Sequence, residues 1–358
     1  MISLLFIFTV SSSYALLIDT FIKKIDVEGV KSIIVTEYTY ENETWKELDY
    51  ILAEYDVNGN VLNEKRETVE GTIQFDYRYT YDENNQLTRI KGVRMRNCVN
   101  VDYHYEYTYD EDGNQIKGVR YDENGNELSR YIAEYDNDGN FLLGINYVEQ
   151  APTSKYEAEY DDQGRLTVER RYTGYSYKSE EGYQLEYQLE YVYDENDNVL
   201  QESRFDGYLE PEYQYNYHYD EQNHLIKALN YDSKGELVSN YQAVYDGDNL
   251  VEFTIKNAEG DIEKRHIAEY ENEKMVLEMD CTDPNKKQRV SEAAFDEQGN
   301  KILEINYETV IGSETFASKY EYAYDANNNC IEEIYSVLEE ASGKWKPLSK
   351  QTNSIVYY

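Results

Sequence analysis

The sequence predicts an all-β protein made of antiparallel hairpins that repeat along the chain in a meander and curl into an elongated sheet or solenoid. Three observations support this prediction. Tyrosine supplies 41 of the 358 residues, a Tyr-Asp turn motif recurs at a nearly constant interval, and aromatic residues alternate with polar ones before that motif. Tyrosine favours extended strands, because its ring can be buried while its hydroxyl stays hydrated.

The turn motif is Tyr-Asp, then a short polar run that contains Gly or Asn, and then Leu or Ile. Taken at the Asp, it occurs eleven times at intervals of 25 to 33 residues, with Glu271 replacing one Asp and Phe295 replacing one Tyr. A repeat kept over so many copies indicates one array of similar units. The motif residues are Tyr55, Asp56 and Gly59; Tyr81 and Asp82; Tyr109, Asp110 and Gly113; Tyr135, Asp136 and Gly139; Tyr160, Asp161 and Gly164; Tyr193 and Asp194; Tyr219 and Asp220; Tyr245 and Asp246; Asp296 and Gly299; and Tyr324 and Asp325.

The segments before these turns read as strands. From Tyr103 to Tyr109 every second residue is Tyr and the residues between are polar. In a strand this alternation places the rings on one face and the polar side chains on the other, solvent-exposed face. A weaker second turn divides some units into halves of about 13 residues, which is too short for a crossover helix between parallel strands. Two residues before the motif Tyr stands either another Tyr or an Ala, so we expect large and small side chains to interdigitate.

The Asp, Gly and Asn residues of the motif are interpreted as turn formers. Asp accepts hydrogen bonds from backbone amides just after it, and Gly or Asn supplies the positive φ that a tight hairpin requires. Calcium binding is the alternative, but an EF-hand needs Gly at its sixth position and Glu at its twelfth. We therefore predict no metal site and no cofactor.

The N-terminus resembles an export signal. Residues Ile2 to Val10 form an apolar run too short to span a bilayer, and Ser13-Tyr14-Ala15 offers a cleavage site. We predict a signal peptide over residues 1–15, a strand or cap segment over 16–37 and the repeat array over 38–358. A buried first strand or helix is the alternative, since no Lys or Arg precedes the apolar run. No other segment has the length of a transmembrane helix, and we expect a secreted, periplasmic or cell-surface protein.

Charge and cysteine content exclude several classes of function. The chain carries 72 Asp and Glu against 34 Lys and Arg, a formal net charge of −38, which disfavours binding to nucleic acids and to anionic membranes. Cys98, Cys281 and Cys330 are far apart in the sequence and match neither a zinc motif nor a disulfide framework. We expect them to be small packed residues, with one disulfide as the alternative.

The unit Tyr-Asp-x-x-Gly-[Asn/Arg]-x-Leu resembles the YD repeat of the rearrangement-hotspot (Rhs) proteins and teneurins, and Asp161 to Leu166 is its nearest copy. The resemblance covers residues 38–358. The chain is also similar to short secreted bacterial proteins in which a second hairpin contains Trp, as the hairpins with Trp45 and Trp345 do here. The resemblance implies antiparallel strands in a spiralling sheet outside the cytoplasm. No counterpart of the Rhs self-cleaving core or toxin domain is present, so no catalytic residue is carried over.

These observations predict a non-enzymatic structural or interaction protein whose partner is an unknown protein or polysaccharide. One alternative is a carbohydrate-binding protein that uses exposed tyrosine rows, and another is a glycan-acting hydrolase, which would need paired carboxylates in a Tyr-lined cleft. Most tyrosines are expected to pack inside, and the four histidines to lie at surface or strand positions. The best candidates for ligand contact lie in the longest unit: Tyr172, Tyr175, Tyr177, Tyr183 and Tyr187.

Overall fold

A computed structural model describes residues 29–96, 99–174, 183–283, 288–309, 315–339 and 342–358. The expected signal peptide (1–15), residues 16–28 of the expected cap segment, Cys98, Tyr175 and Tyr177 lie outside the described residues. Among the described residues no helix has the length and apolar content to cross a membrane. The strands are β1 Val30–Glu41, β2 Thr44–Tyr55, β3 Val61–Thr68, β4 Ile73–Tyr81, β5 Leu87–Arg96, β6 Val99–Tyr109, β7 Gln115–Tyr121, β8 Glu127–Tyr135, β9 Phe141–Val148, β10 Ala151–Tyr160, β11 Leu166–Gly174, β12 Tyr183–Tyr193, β13 Val199–Asp206, β14 Pro211–Tyr219, β15 Leu225–Asp232, β16 Leu237–Asp246, β17 Asn249–Asn257, β18 Ile262–Glu271, β19 Lys274–Asp280, β20 Gln288–Phe295, β21 Lys301–Thr309, β22 Thr315–Tyr324, β23 Cys330–Glu339 and β24 Lys344–Tyr357.

The fold is all-β, but the predicted open, curled or spiralling sheet is wrong. The first strand pairs antiparallel with the last over nine residue pairs, and Ile33 lies opposite Ile355. Since β1 also pairs with β2, the 24 strands form one closed antiparallel sheet. Closure satisfies the backbone groups that a free edge would expose. The repeat could not reveal it, because each unit specifies contacts only with its neighbours.

The Tyr-Asp turns share one hydrogen-bond pattern, illustrated by the turn at Asp56. The Asp56 Oδ1 atom accepts the backbone amides of Asn58 and Asn60, both at 2.9 Å, and Oδ2 accepts the Asn60 side chain at 3.0 Å. Gly59 has a φ of 81°, a conformation that costs glycine little. The turn at Asp246 departs from this pattern, because β16 and β17 are joined by only two residues, Gly247 and Asp248.

Motif tyrosines connect each turn to the one before it. The Tyr193 hydroxyl donates to the carbonyl of Leu166 at 2.7 Å, and Leu166 is the fifth residue after the Asp of the preceding turn. A phenol can make this bond because its ring packs on the strand face while its hydroxyl reaches the backbone. Equivalent bonds join Tyr81 to Val61, Tyr135 to Gln115, Tyr160 to Phe141, Tyr219 to Val199, Tyr245 to Leu225, Tyr270 to Leu250, and Tyr324 to Lys301.

The chain divides into two compact units. The first comprises the residues up to Tyr107, Arg120–Asn126 and Ala293–Tyr358, and the second comprises Thr108–Val119 and Glu127–Glu292. The core of the first unit is centred on β1 and β2, where Val30 and Ile33 are fully buried. Its other buried members are Val35, Ile51, Ala53, Tyr55, Phe75, Tyr77, Tyr105 and Cys330.

In the second unit small residues lie against large rings. A Cβ added to Gly118 would come within 2.4 Å of the Tyr131 ring, so that ring occupies the space a larger residue would fill. Tyr131 and Ala133 are buried on the same strand face, and Gly144 lies opposite Ala133. This alternation gives close packing without strain.

Replacing Ile33 with Ala tests the packing of the closing strand. Ile33 is fully buried, whereas its neighbour Ile34 on the opposite face is 39% exposed. We expect Ile33→Ala to lower the free energy of unfolding by about 2–5 kcal/mol through the lost burial and the cavity left behind, and Ile34→Ala by less than about 1 kcal/mol. Chemical denaturation measures both, and equal losses would contradict the assigned faces.

Replacing Tyr193 with Phe tests the bond between turns. The ring stays in place and only the hydroxyl bond to Leu166 is lost, so we expect a loss of about 1 kcal/mol in the free energy of unfolding. Tyr208 is 81% exposed and serves as the matched control, since Tyr208→Phe should change nothing measurable. A Tyr193→Phe variant as stable as the wild type would show that the bond is dispensable.

Candidate functional site

The turn carboxylates are engaged by their own turns. Asn140 and two backbone amides donate to Asp136, and these bonds, that of the Asn140 side chain foremost, lower the pKa of the carboxyl. Among the described residues no group of three His, Cys, Asp or Glu side chains comes together as metal ligands. The geometry therefore accounts for the motif Asp as a turn former.

In several turns the side chain of the fourth residue after the motif Asp donates a hydrogen bond to the next turn, and we call this bond a clamp. The Arg165 Nη1 atom donates to the carbonyl of Asp194 at 2.8 Å and to Asp197 Oδ1 at 3.0 Å. Asn198 Nδ2 donates to Asn223 Oδ1 at 2.9 Å, and Asn60 and Asn300 reach Asn85 and Asn328 in the same way. Sequence reasoning missed these clamps.

A sequence signal for the clamps exists at the third position after the motif Asp. In four clamps the acceptor stands at that position as Asn or Asp in place of Gly, namely Asn85, Asp197, Asn223 and Asn328. All four have φ between 61° and 66°, which is uncommon for a residue with a side chain. The accepted hydrogen bond offsets the cost of that conformation.

His224 occupies the clamp position between the turns at Asp220 and Asp246. Its Nδ1 atom lies 3.0 Å from Asp220 Oδ2, its Nε2 atom lies 3.1 Å from Asp248 Oδ1, and its ring stacks on Tyr245 at 4.5 Å. Partial burial by itself lowers the pKa of the imidazole, but the bonds to the two carboxylates outweigh it and raise the pKa. Among the clamps described above, this is the one whose side chain gains a charge as the pH falls.

Of the five tyrosines proposed as ligand contacts, Tyr172, Tyr183 and Tyr187 belong to the described residues, and these three do not form one surface. Tyr172 and Tyr183 lie near each other, because the Lys155 ammonium is 3.9 Å from the centre of one ring and 5.3 Å from the other. The Tyr172 hydroxyl donates to Glu157 at 2.7 Å, and burial, followed by this bond, raises its pKa to about 12. Their role in ligand binding stays a prediction, but their hydroxyls and ring faces already make contacts within the fold.

Tyr187 lies on the opposite strand face from Tyr172. It is paired with Arg171, the neighbour of Tyr172, and the Arg204 guanidinium lies 4.2 Å from its ring centre. Burial, together with the nearby charge of Glu169, raises its pKa. The structure therefore separates it from the pair at Lys155.

The ring-covered face also contains buried carboxylates that sequence reasoning missed. The Tyr156 hydroxyl donates to Glu169 at 2.9 Å, and the Tyr213 hydroxyl donates to Glu202 at 3.1 Å. Burial raises the pKa of Glu169, and the charge of Glu202 adds to this effect. A bond of the same kind occurs in the first of the two compact units, where the Tyr79 hydroxyl donates to Glu64.

These three glutamates share one repeat position, eight residues after the motif Asp, and this is the signal that could have identified them. A hydrolase would need one special pair of carboxylates, whereas Glu64, Glu169 and Glu202 recur together with their tyrosine partners. The arrangement satisfies buried polar groups inside a packed face.

A cavity of about 310 Å³ lies between the turns at Asp296 and Asp325. Its lining includes Ile302 and Tyr322 besides the two turns. Both aspartates accept backbone amides of their own turns, so their carboxylates are already engaged.

No family model matches the chain, and no curated protein matches it in sequence. Among solved structures, a TcdB2–TccC3 crystal structure is similar at 9% identity and a TM-score of 0.31 over 88% of this chain. A Tc holotoxin pore from Photorhabdus luminescens is similar at 10% identity and a TM-score of 0.30 over 87% of this chain. This chain spans only 27% and 24% of the length of those two chains. A porin-like protein from Bacteroides uniformis is similar at 10% identity and a TM-score of 0.24, over 93% of this chain and 99% of the other.

Values this low do not show the family of this chain. They assign neither a function nor a location to this chain.

Replacing His224 with Asn tests the charged clamp. Because the folded-state pKa is raised above the unfolded value of about 6.5, the extra stability is fully present below that value and is lost as the pH rises through the folded pKa. We therefore expect the melting temperature to fall more for His224→Asn at pH 6.0 than at pH 8.5. Asn198→Ala removes a clamp that does not titrate and should cost the same at both pH values. An equal loss for His224→Asn at both pH values would contradict a charged clamp.

Proposed function

We propose that this chain is a non-enzymatic structural and interaction protein that acts outside the cytoplasm, in the secreted, periplasmic or cell-surface compartment. The observation that supports this most is the use of the repeat's signature side chains. The motif Asp bonds to its own turn, the motif Tyr bonds to the preceding turn, and the clamp residue bonds to the next one. The repeated motif thus builds a scaffold.

The finer family assignment belongs to the same proposal. We infer a secreted YD-repeat protein. The support is the eleven-fold Tyr-Asp motif in the sequence together with the hydrogen bonds that each copy makes.

Charge restricts the class of partner. A net charge of −38 repels nucleic acids and anionic surfaces, so a protein or a polysaccharide is the better partner. The carboxylates that a hydrolase would require are bonded to tyrosines at a recurring position, and this supports a non-enzymatic role.

The location can be tested in the native cell by labelling intact cells with a membrane-impermeant amine reagent. Lys46 and Lys344 are exposed on the surface of the chain, so an exported chain should be labelled, recovered from the medium or released with the periplasmic fraction. A variant that lacks residues 1–15 is the matched control and should stay inside the cell, unlabelled. A full-length chain that remains in the cytosol, as unlabelled as a cytoplasmic marker, would contradict the proposal.

A further inference from the structure

Closure of the sheet brings together two hairpins from opposite ends of the sequence. Trp45 lies on β2 just after the turn that follows β1, and Trp345 lies on β24 just after the turn that follows β23. Because β1 pairs with both β2 and β24, these two hairpins are neighbours. They contain both tryptophans of the protein.

The pairing between the two hairpins ends before their tips. Among the described residues, the register between β1 and β24 ends at Thr39 and Ser349. The pairs of β1 with β2 and of β23 with β24 continue to Glu41–Thr44 and to Glu339–Lys344. Each hairpin therefore ends in a two-stranded tip that carries one tryptophan.

Aromatic rings and lysines alternate across one face of these tips. Trp45 packs edge-on against Tyr40, with their ring centres 4.9 Å apart. The Lys350 ammonium lies 4.7 Å from the Tyr38 ring centre and 5.2 Å from that of Trp45. Lys319 lies 5.4 Å from the Trp345 ring centre. We call Tyr38, Tyr40, Trp45, Trp345, Lys319 and Lys350 the tryptophan patch.

The patch is only partly covered by the fold. Tyr38, Tyr40, Trp45 and Trp345 are all half-buried, in contrast to the fully buried Ile33 on the opposite face of β1. Indole rings on partly free strands provide flat apolar surfaces of the kind that dominates binding interfaces.

The charges around the patch disfavour an anionic ligand. Lys319 pairs with Glu321 at 2.8 Å, Lys350 with Glu332 at 3.8 Å, and Lys46 of the same hairpin with Glu41 at 2.6 Å. Each of these three lysines is matched by a carboxylate, and the exposed Glu47 lies opposite Tyr38, so the patch favours an uncharged ligand over an anion. It offers ring faces flanked by charged hydrogen-bonding groups.

We propose that the tryptophan patch binds the pyranose rings of a neutral polysaccharide. The C–H faces of a sugar ring are apolar and pack on indole and phenol rings, while its hydroxyls bond to flanking lysine and glutamate side chains. This inference rests on the proposed interaction role and names its partner. It places the glycan site at the tryptophan hairpins and not at the tyrosines of the longest unit.

Tryptophan fluorescence tests the patch directly, since both tryptophans of the full chain belong to it. Cellohexaose, mannohexaose and chitohexaose are titrated separately, with calorimetry in parallel. We expect a saturable change in emission with at least one of these neutral oligosaccharides. Trp45→Ala and Trp345→Ala should each weaken the calorimetric affinity by tenfold or more, while Tyr208→Ala, at an exposed tyrosine of another hairpin, should bind like the wild type. Circular dichroism and melting temperature check that the variants are folded.

Three results would overturn the proposal. The first is no saturable signal with any of the three oligosaccharides. The second is binding that both tryptophan variants retain, which would place the glycan elsewhere. The third is an emission that changes with protein concentration alone, accompanied by dimers in sedimentation, which would make the patch an interface between two copies.

The failures of the two proposals are distinguishable. If the chain is labelled at the cell surface but binds none of the glycans, the proposed interaction role stands and the polysaccharide partner is wrong. If the chain is retained in the cytosol, the proposed role outside the cytoplasm is wrong.

Discussion

The hydrogen bond from a motif tyrosine to a backbone carbonyl of the preceding turn is the contact on which the rest of the structure depends. One residue fills the strand face with its ring and ties its turn to the previous turn with its hydroxyl. Phenylalanine could fill the same space but could not make the bond, so the eight positions that bond in this way require tyrosine. Each of these bonds ties a hairpin to the one before it.

The closing pair of strands needs a different source of stability, because it joins segments at the two ends of the chain. Bringing distant segments together costs more chain entropy than forming a hairpin. The three largest fully buried side chains lie on or next to these strands, namely Val30 and Ile33 on β1 and Cys330 at the start of β23. Tyr358, which follows β24, adds two hydrogen bonds to the first strands. Its amide donates to the carbonyl of Gly29 at 3.0 Å, and its hydroxyl donates to the carbonyl of Tyr55. Apolar burial is concentrated where the repeat cannot supply the pairing by itself.

Properties set by a residue's immediate neighbours could be predicted from the sequence. Strand alternation, the Asp turns and the matching of small to large side chains, as in Gly118 against Tyr131, all arise within a hairpin or between adjacent ones. The contact of Ile33 with the strand of Ile355 could not be predicted, because nothing in a unit specifies how many units close a sheet. The clamps and the Tyr-Glu bonds could be predicted only in part. Their residues recur at fixed positions in the sequence. Their bonding partners could not be identified without the structure, which shows the turn or ring that lies next to each of them.

Recurrence separates structural features from candidate sites in such an array. A carboxylate bonded to a phenol at Glu64, Glu169 and Glu202 serves the packing that every unit needs, and the same holds for the motif Asp. A closed sheet of equivalent units has no reason to bind at one place, so a specific site requires an interruption of the repeat. The pairing of β1 with β24 is one such interruption, because there the first and last hairpins become neighbours and set Trp45 and Trp345 on adjacent tips. Closure therefore completes the scaffold and also creates a surface that the repeat does not.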